Sequence, residues 1–264
     1  MPRVPVGGSE LQVERRGDGD PLLLIQGLGG DSTHWGEAFL DELSGDFEVI
    51  VYDHRGTGGS GPCGAVTTAG LAVDALAVLD ALEIERAHVF GFSMGGMVAQ
   101  ELALRSPDRI ATLTLAATSA GGTQSKPTGA EVAQALTAAV LSGDRERVLR
   151  TSYGLLFGRA FAAVPANYEP FAASARGSAP PIAVLREQLS AVLAHDAYGR
   201  LRGLDLPTLV VHGTGDQILE SVNGELIASL IAGARLELLE GVGHMLFWEQ
   251  PERVAQLVGR HAAA

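Results

Sequence analysis

Gly91-Phe92-Ser93-Met94-Gly95 decides the reading of this chain. The five residues match G-x-S-x-G. They stand between a strand-like run, His88-Val89-Phe90, and a helix-like run over residues 97–104. The context carries the weight, because a chain with 34 glycines meets the bare pattern too easily by chance. At a strand–turn–helix junction the backbone turns sharply. The serine hydroxyl is then pushed out at the C-terminal edge of a sheet, in reach of a base and of free backbone N–H groups. Glycines at either flank are expected because a Cβ there would crowd the neighbouring strand and helix. The alternative is a serine that merely caps a helix.

Outward from Ser93, the first 120 residues alternate between short apolar runs and helical patterns. Arg3–Val6 and residues 10–15 read as two strands joined by a Gly7-Gly8 turn. Residues 22–26 and 48–52 are continuous apolar runs, as strands buried on both faces require. Residues 67–82 carry apolar side chains at helical spacing. Residues 88–92 and Ile110–Ala116 are the next strands. This β–α–β rhythm predicts an α/β fold, a mostly parallel sheet with helices on both faces. Over residues 121–202 the rhythm changes. Helical stretches are expected at Ala130–Leu141 and at residues 145–157, 167–175 and 182–193, punctuated by Pro165, Pro170, Pro180 and Pro181. Strands resume at residues 208–212 and Arg235–Leu239, with a helix over 223–231 between them and another from Pro251. Residues 1–120 and 203–264 are therefore expected to form one core, with 121–202 a helical insertion over the strand ends.

Composition narrows the function. The 264 residues have a formal net charge of −12 and a single lysine, Lys126, which argues against nucleic acid. No apolar run approaches the roughly 18 residues that span a bilayer, and no signal-peptide core follows Met1. Neither a membrane partner nor a secretory route is expected, and cytoplasmic residence is the simplest reading. Cys63 is the one cysteine, so no internal disulfide can form. No Cys/His set has metal-ligand spacing, and neither a metal nor a cofactor is expected. Gly56 to Ser60 lacks the spacing of a phosphate loop. Composition leaves monomer and homodimer both open.

A serine hydroxyl needs a general base, and the base needs a carboxylate. Both should lie on loops after later strands. Asp216 stands in Gly213-Thr214-Gly215-Asp216, directly after the strand at 208–212, where two glycines allow a sharp bend. His244 stands in Gly241-Val242-Gly243-His244, after Arg235–Leu239. The other histidines are less suited. His34 and His54 precede the nucleophile, His88 and His212 belong to strands, His195 lies in the insertion and His261 in the tail. The oxyanion donors should be the amides of Met94, which follows the nucleophile, and of Leu28 in Gln26-Gly27-Leu28-Gly29-Gly30. Taken singly, Asp216 could be a turn aspartate and His244 a loop histidine. The order Ser, Asp, His after successive strands is what joins them.

These motifs in this order resemble the α/β-hydrolase superfamily over nearly the full chain. Tyr52-Asp53-His54-Arg55-Gly56-Thr57-Gly58-Gly59-Ser60 is similar to its D-x-R-G-x-G-x-S loop, and Gly243-His244 with Glu249-Gln250-Pro251-Glu252 to its histidine loop. The resemblance implies eight strands, a cap inserted after the sixth, and the triad Ser93, Asp216 and His244. It places Asp53 and Arg55 beside the site in a structural role. Ser93 to Gln100 looks like small bacterial esterases and enol-lactonases, and Gln26 to Gly29 with Trp35 looks like the methylesterase-like branch. Many members carry His-Gly where this chain has Gln26-Gly27. Serine at 93 argues against the dehalogenases and epoxide hydrolases of the superfamily, which use Asp. The activity implied is hydrolysis of a small, apolar carboxylic ester or lactone. C–C bond hydrolysis, a cofactor-free haloperoxidase-like activity and a ligand-binding module on the same scaffold are the alternatives. Gly27, His34, Trp35, Tyr153, Phe157 and Met245 are candidate substrate-binding residues, with Phe161, Tyr168, Phe171 and Phe247 nearby in sequence. Core packing is the competing reading for each aromatic.

Overall fold

The computed structural model describes residues 3–6, 8–62, 64–177 and 180–264. Gly7 of the expected Gly7-Gly8 turn, and Cys63, lie outside the described residues. Eight strands form one sheet: β1 (Arg3–Val6), β2 (Ser9–Arg16), β3 (Asp20–Ile25), β4 (Phe47–Tyr52), β5 (Ala87–Phe92), β6 (Ile110–Ala116), β7 (Thr208–Gly213) and β8 (Arg235–Leu239). Their order is β1-β2-β4-β3-β5-β6-β7-β8. Only β1 and β2 run antiparallel to their neighbours; from β4 onward all pairs are parallel. The loops after β3, β5, β7 and β8 therefore all emerge at one edge, where a site can be assembled.

The central strands are apolar throughout because both sheet faces are covered. In β3, Leu23 and Ile25 point to one core and Leu22 and Leu24 to the other, as the two-residue period of a strand dictates. The first core is closed by α2 (Thr68–Ala81), α3 (Met94–Arg105) and α9 (Val222–Leu230). The second is closed by α1 (Glu37–Ser44), α10 (Leu246–Glu249) and α11 (Pro251–Ala262). Between β6 and β7 the chain runs through α4 (Ala130–Leu141), α5 (Arg145–Leu156), α6 (Arg159–Ala162), α7 (Tyr168–Gly177) and α8 (Ile182–Ala194). Tyr153, Phe157 and Phe171 of this helical segment continue the second core. No helix among the described residues is long and apolar enough to cross a membrane.

The expected elements differ from the observed ones mainly at their ends. β3 begins earlier than its apolar run and stops at Ile25, because the Gln26 side chain turns back to accept from Gly27 N at 2.7 Å. α7 begins at Tyr168 because a turn of 3₁₀ helix, Pro165–Asn167, precedes it. α1 has only eight residues and starts after Gly36 without a side-chain cap, so it lacks the usual start signal.

Candidate active site

Ser93 follows β5 and stands at the N-cap of α3 with φ 55° and ψ −120°. Left-handed backbone is costly for a residue with a Cβ. Surrounding bonds hold it there. Ser93 N donates to Ala116 O at 2.9 Å, and Ser93 O accepts from Gly96 N at 2.9 Å and Thr118 Oγ1 at 2.7 Å. The flanking glycines are required by space. A Cβ on Gly91 would lie 2.5 Å from Gly95 O and one on Gly95 would lie 1.9 Å from Ile25 O. Ser93 occupies a cap position, yet its side chain makes no capping bond.

Instead Ser93 Oγ lies 3.0 Å from His244 Nε2, and His244 Nδ1 lies 2.7 Å from Asp216 Oδ2. Asp216 is buried. Burial alone would raise its pKa, but the charge of His244 and hydrogen bonds from His212 and His244 outweigh it and hold the carboxyl below the usual carboxylate range. An ionised carboxylate can only accept, so the proton between the two sits on His244 Nδ1. Nε2 then presents a lone pair to the Ser93 hydroxyl. Asp216 Oδ1 accepts from Ile218 N at 2.8 Å and Leu219 N at 3.0 Å, which fixes the carboxylate on its loop. The Phe92 ring lies 4.9 Å from the His244 ring.

The acid and base loops are laced together. Gly215 N donates to Val242 O at 2.8 Å, and Thr214 N to Leu239 O at 3.0 Å. Gly213 and Gly215 serve this contact rather than a sharp bend. Neither has a positive φ, and a Cβ on Gly213 would lie 2.2 Å from Val242 O. The base loop is also tied to the helical segment. Glu249 Oε1 accepts from Gly243 N and from Gly158 N, both at 2.8 Å, and Met245 N donates to Leu156 O at 3.0 Å. Burial, supported by the charge of Asp216, raises the Glu249 pKa, and the two backbone bonds oppose this.

In the loop after β3, Gly27 N, Gly29 N and Gly30 N are all bonded: to Gln26 Oε1 at 2.7 Å, Gln188 Oε1 at 2.8 Å and Gly27 O at 3.3 Å. Among the described residues the amides of Leu28 and Met94 have no protein acceptor. They are the two donors expected for an oxyanion. Gly27 is also at the site, since a Cβ on it would lie 3.2 Å from Ser93 Cβ. His54 Nε2 donates to Gln26 O at 2.9 Å and steadies the start of the loop. Asp53 holds Ser32 N and Gly59 N, each at 2.8 Å, and Arg55 pairs with Asp74, so both have structural work.

Several residues expected to line a pocket have other duties. Trp35 has no exposed surface. It packs among Phe39, Phe90, Phe92 and Phe247, so its reading as substrate-binding is corrected to core. Phe157 is likewise fully buried, stacked on Phe161 at 5.0 Å and against Tyr153. His34 Nδ1 completes a capping box with Asp31. Tyr153 and Met245 are almost buried, and the Tyr153 hydroxyl has no hydrogen-bond partner among the described residues. Three contributors were not expected from sequence. His212, set aside as a strand residue, donates Nε2–H to Leu219 O at 2.7 Å and lies 3.3 Å from Asp216 Oδ2. Gln188 and Glu249 are the other two. Gln188 bonds Gly29 and Glu249 bonds Gly158, both far off in sequence; Glu249 stands in the segment that resembles the histidine loop, but that resemblance does not signal its bond to the helical segment. Among the described residues no group of three His, Cys, Asp or Glu comes together as a metal cluster would.

A family model for the alpha/beta hydrolase fold matches residues 20–251. The chain belongs to the α/β-hydrolase family. Relatives of this α/β hydrolase include the 2-hydroxymuconate semialdehyde hydrolase of Pseudomonas sp. strain CF600. The two are 34% identical, over 96% of this chain and 90% of the relative. Among solved structures, a hydrolase from Pseudomonas aeruginosa PA01 superimposes with a TM-score of 0.83 at 36% identity, covering 97% of this chain and 96% of the other. A thermophilic esterase from Thermogutta terrifontis, solved with malate bound, superimposes with a TM-score of 0.81 at 30% identity, covering 98% and 96%.

Proposed function

We propose that this α/β hydrolase cleaves a carboxylic ester or lactone of a small, apolar molecule through an acyl-enzyme on Ser93. One observation carries the reading: an unbroken Ser93–His244–Asp216 hydrogen-bond chain beside two unclaimed amides, Leu28 and Met94. In this reading Ser93 Oγ attacks the carbonyl carbon as His244 Nε2 takes its proton. Asp216 stabilises the imidazolium, and the two amides receive the oxyanion. The proton passes to the leaving alkoxide, and the C–O bond breaks. Water, deprotonated by His244, then attacks the acyl-enzyme, and the acid leaves as Ser93 regains its proton. No step needs a metal or cofactor.

The helical segment between β6 and β7 acts as a cap in this reading. Its aromatic residues Phe157 and Phe171 pack against Trp248 within the second core, so the cap is seated beside the base loop by apolar packing. A 30% identical solved relative is an esterase, which supports ester over other carbonyl substrates. The 34% identical relative favours a second reading, because its namesake substrate carries an aldehyde, a hydroxydiene and a carboxylate but no ester. The same triad would then cleave a C–C bond.

The test is intact-mass analysis after treatment with a fluorophosphonate. One adduct on the wild type, mapped to Ser93 and absent in Ser93→Ala, is expected. Ser93→Ala should also lose hydrolysis of a p-nitrophenyl ester by at least about 10³-fold. A folded wild type that takes no label would overturn the nucleophile. Inert esters with turnover of a vinylogous diketone would select the C–C reading.

A further inference from the structure

We propose that Gln188, on α8 of the helical segment, is a positioning residue for the oxyanion hole, so that the hole is complete only while α8 is seated on the core. The inference rests on the acyl-enzyme reading above and deepens it.

Gly27 O accepts from Gly30 N, so residues 27–30 form a β-turn with Leu28 and Gly29 at its centre. Gly29 has φ 74°, the value a type II turn requires at its third residue. Types I and II differ by a flip of the central peptide, here the one joining Leu28 C=O to Gly29 N–H. That peptide is adjacent to the Leu28 amide expected to receive the oxyanion. The backbone supplies no acceptor that would hold it against the flip. Gln188 Oε1 does, at 2.8 Å from Gly29 N. A reversed amide would set its NH₂ against the Gly29 N–H, so the acceptor assignment is dictated by chemistry.

Gln188 is 1% exposed, and its Nε2 has no hydrogen-bond partner among the described residues. Burying an unpaired NH₂ costs free energy that an apolar side chain of similar size would avoid. The bond from Oε1 to the turn is the compensating function. It is also a long-range link: 159 residues separate the partners, and it joins the helical segment to a catalytic loop. Seating of α8 therefore determines which way the oxyanion turn faces.

The experiment measures the rate of fluorophosphonate labelling at Ser93 and kcat and KM on a p-nitrophenyl ester. Gln188→Leu removes the acceptor, and Gln188→Glu keeps an oxygen at the same place. Ser174→Ala is the control, since Ser174 Oγ ties the helical segment to Thr33 O at 3.0 Å without touching the turn amides. For Gln188→Leu, labelling and kcat should fall about 10- to 100-fold with KM nearly unchanged, the signature of a misplaced transition-state donor. Gln188→Glu should recover most of the rate, and Ser174→Ala should match the wild type. If Gln188→Leu fails to fold, as judged by its melting curve, Gln188→Asn is used, whose shorter side chain cannot reach Gly29; the same loss is expected. Labelling of Gln188→Leu at the wild-type rate overturns the inference. So does a Gln188→Glu as slow as Gln188→Leu, or an equal loss in Ser174→Ala. A wild type that takes no label overturns the acyl-enzyme reading and this inference with it. Normal wild-type labelling with an unaffected Gln188→Leu overturns this inference alone.

Discussion

Ser93 is held in a conformation that its own side chain disfavours, and the glycines around it make room for that. Gly95 packs against the end of β3 so closely that a methyl group would meet the carbonyl of Ile25, a backbone atom with no freedom to withdraw. Gly95→Ala should therefore destabilise the protein by about 3 kcal/mol and abolish Ser93 labelling. Gly129→Ala, where a Cβ would meet nothing within 4 Å, should leave both unchanged. Thermal melts of the two variants check this. The need for small flanks was legible from G-x-S-x-G in its strand–helix setting. The roles of Gly213 and Gly215 were not, because what crowds them is the loop at Gly241 to Gly243, after the next strand.

At the scale of elements, the site is built where loops from β3, β5, β7 and β8 meet residues of α5 and α8. Glu249, in the short helix α10, joins the base loop to the turn after α5 through two bonds from one oxygen. Glu249→Ala would leave the Gly158 and Gly243 amides unpaired, at a cost of roughly 2–3 kcal/mol, and should lower kcat by about 10-fold as His244 loses its anchor. Glu249→Gln retains the Oε1 acceptor and should stay within about 1 kcal/mol of the wild type. A denaturant series with kcat for each variant tests the pair. The strands were legible because a parallel sheet buried on both faces leaves continuous apolar runs. Pocket residues were not, because aromatic side chains read alike in a core and around a ligand. Trp35 and Phe157 went to the core for that reason.

For the whole molecule, buried histidines set the response to acid. Burial lowers the pKa of His54, His88, His195 and His261, that of His195 to about 4. His195 is held neutral between Thr68 Oγ1 at 3.0 Å and Gln100 Oε1 at 3.4 Å. Each of these groups binds its proton more readily in the unfolded chain. Their contribution to stability is complete above about pH 6.5 and is lost as the pH falls below it, that of His195 until the pH has passed through about 4. Asp216 adds a loss at still lower pH, since its folded pKa is depressed. The urea midpoint should thus fall between pH 7 and pH 4.5. His195→Asn should show a shallower fall, with roughly 2–3 kcal/mol less pH dependence. Equal slopes for the two proteins would remove His195 from the account.

The local sequence determined the sheet, the helical segment after β6, and the order Ser93, Asp216, His244 at the ends of β5, β7 and β8. Apolar period, glycine at tight turns and chain order are properties of neighbouring residues and can be read from them. Only the tertiary structure decided which amides of the 27–30 turn are occupied, that His212 lies beside the Asp216 carboxylate, and that Gln188 and Glu249 bind the helical segment to the loops after β3 and β8. The bonds from Gln188 to Gly29 and from Glu249 to Gly158 join residues far apart in the chain, and the His212–Asp216 contact depends on how the loop after β7 folds back. Their energy depends on distances of a few tenths of an ångström that exist only once both cores have closed on the sheet.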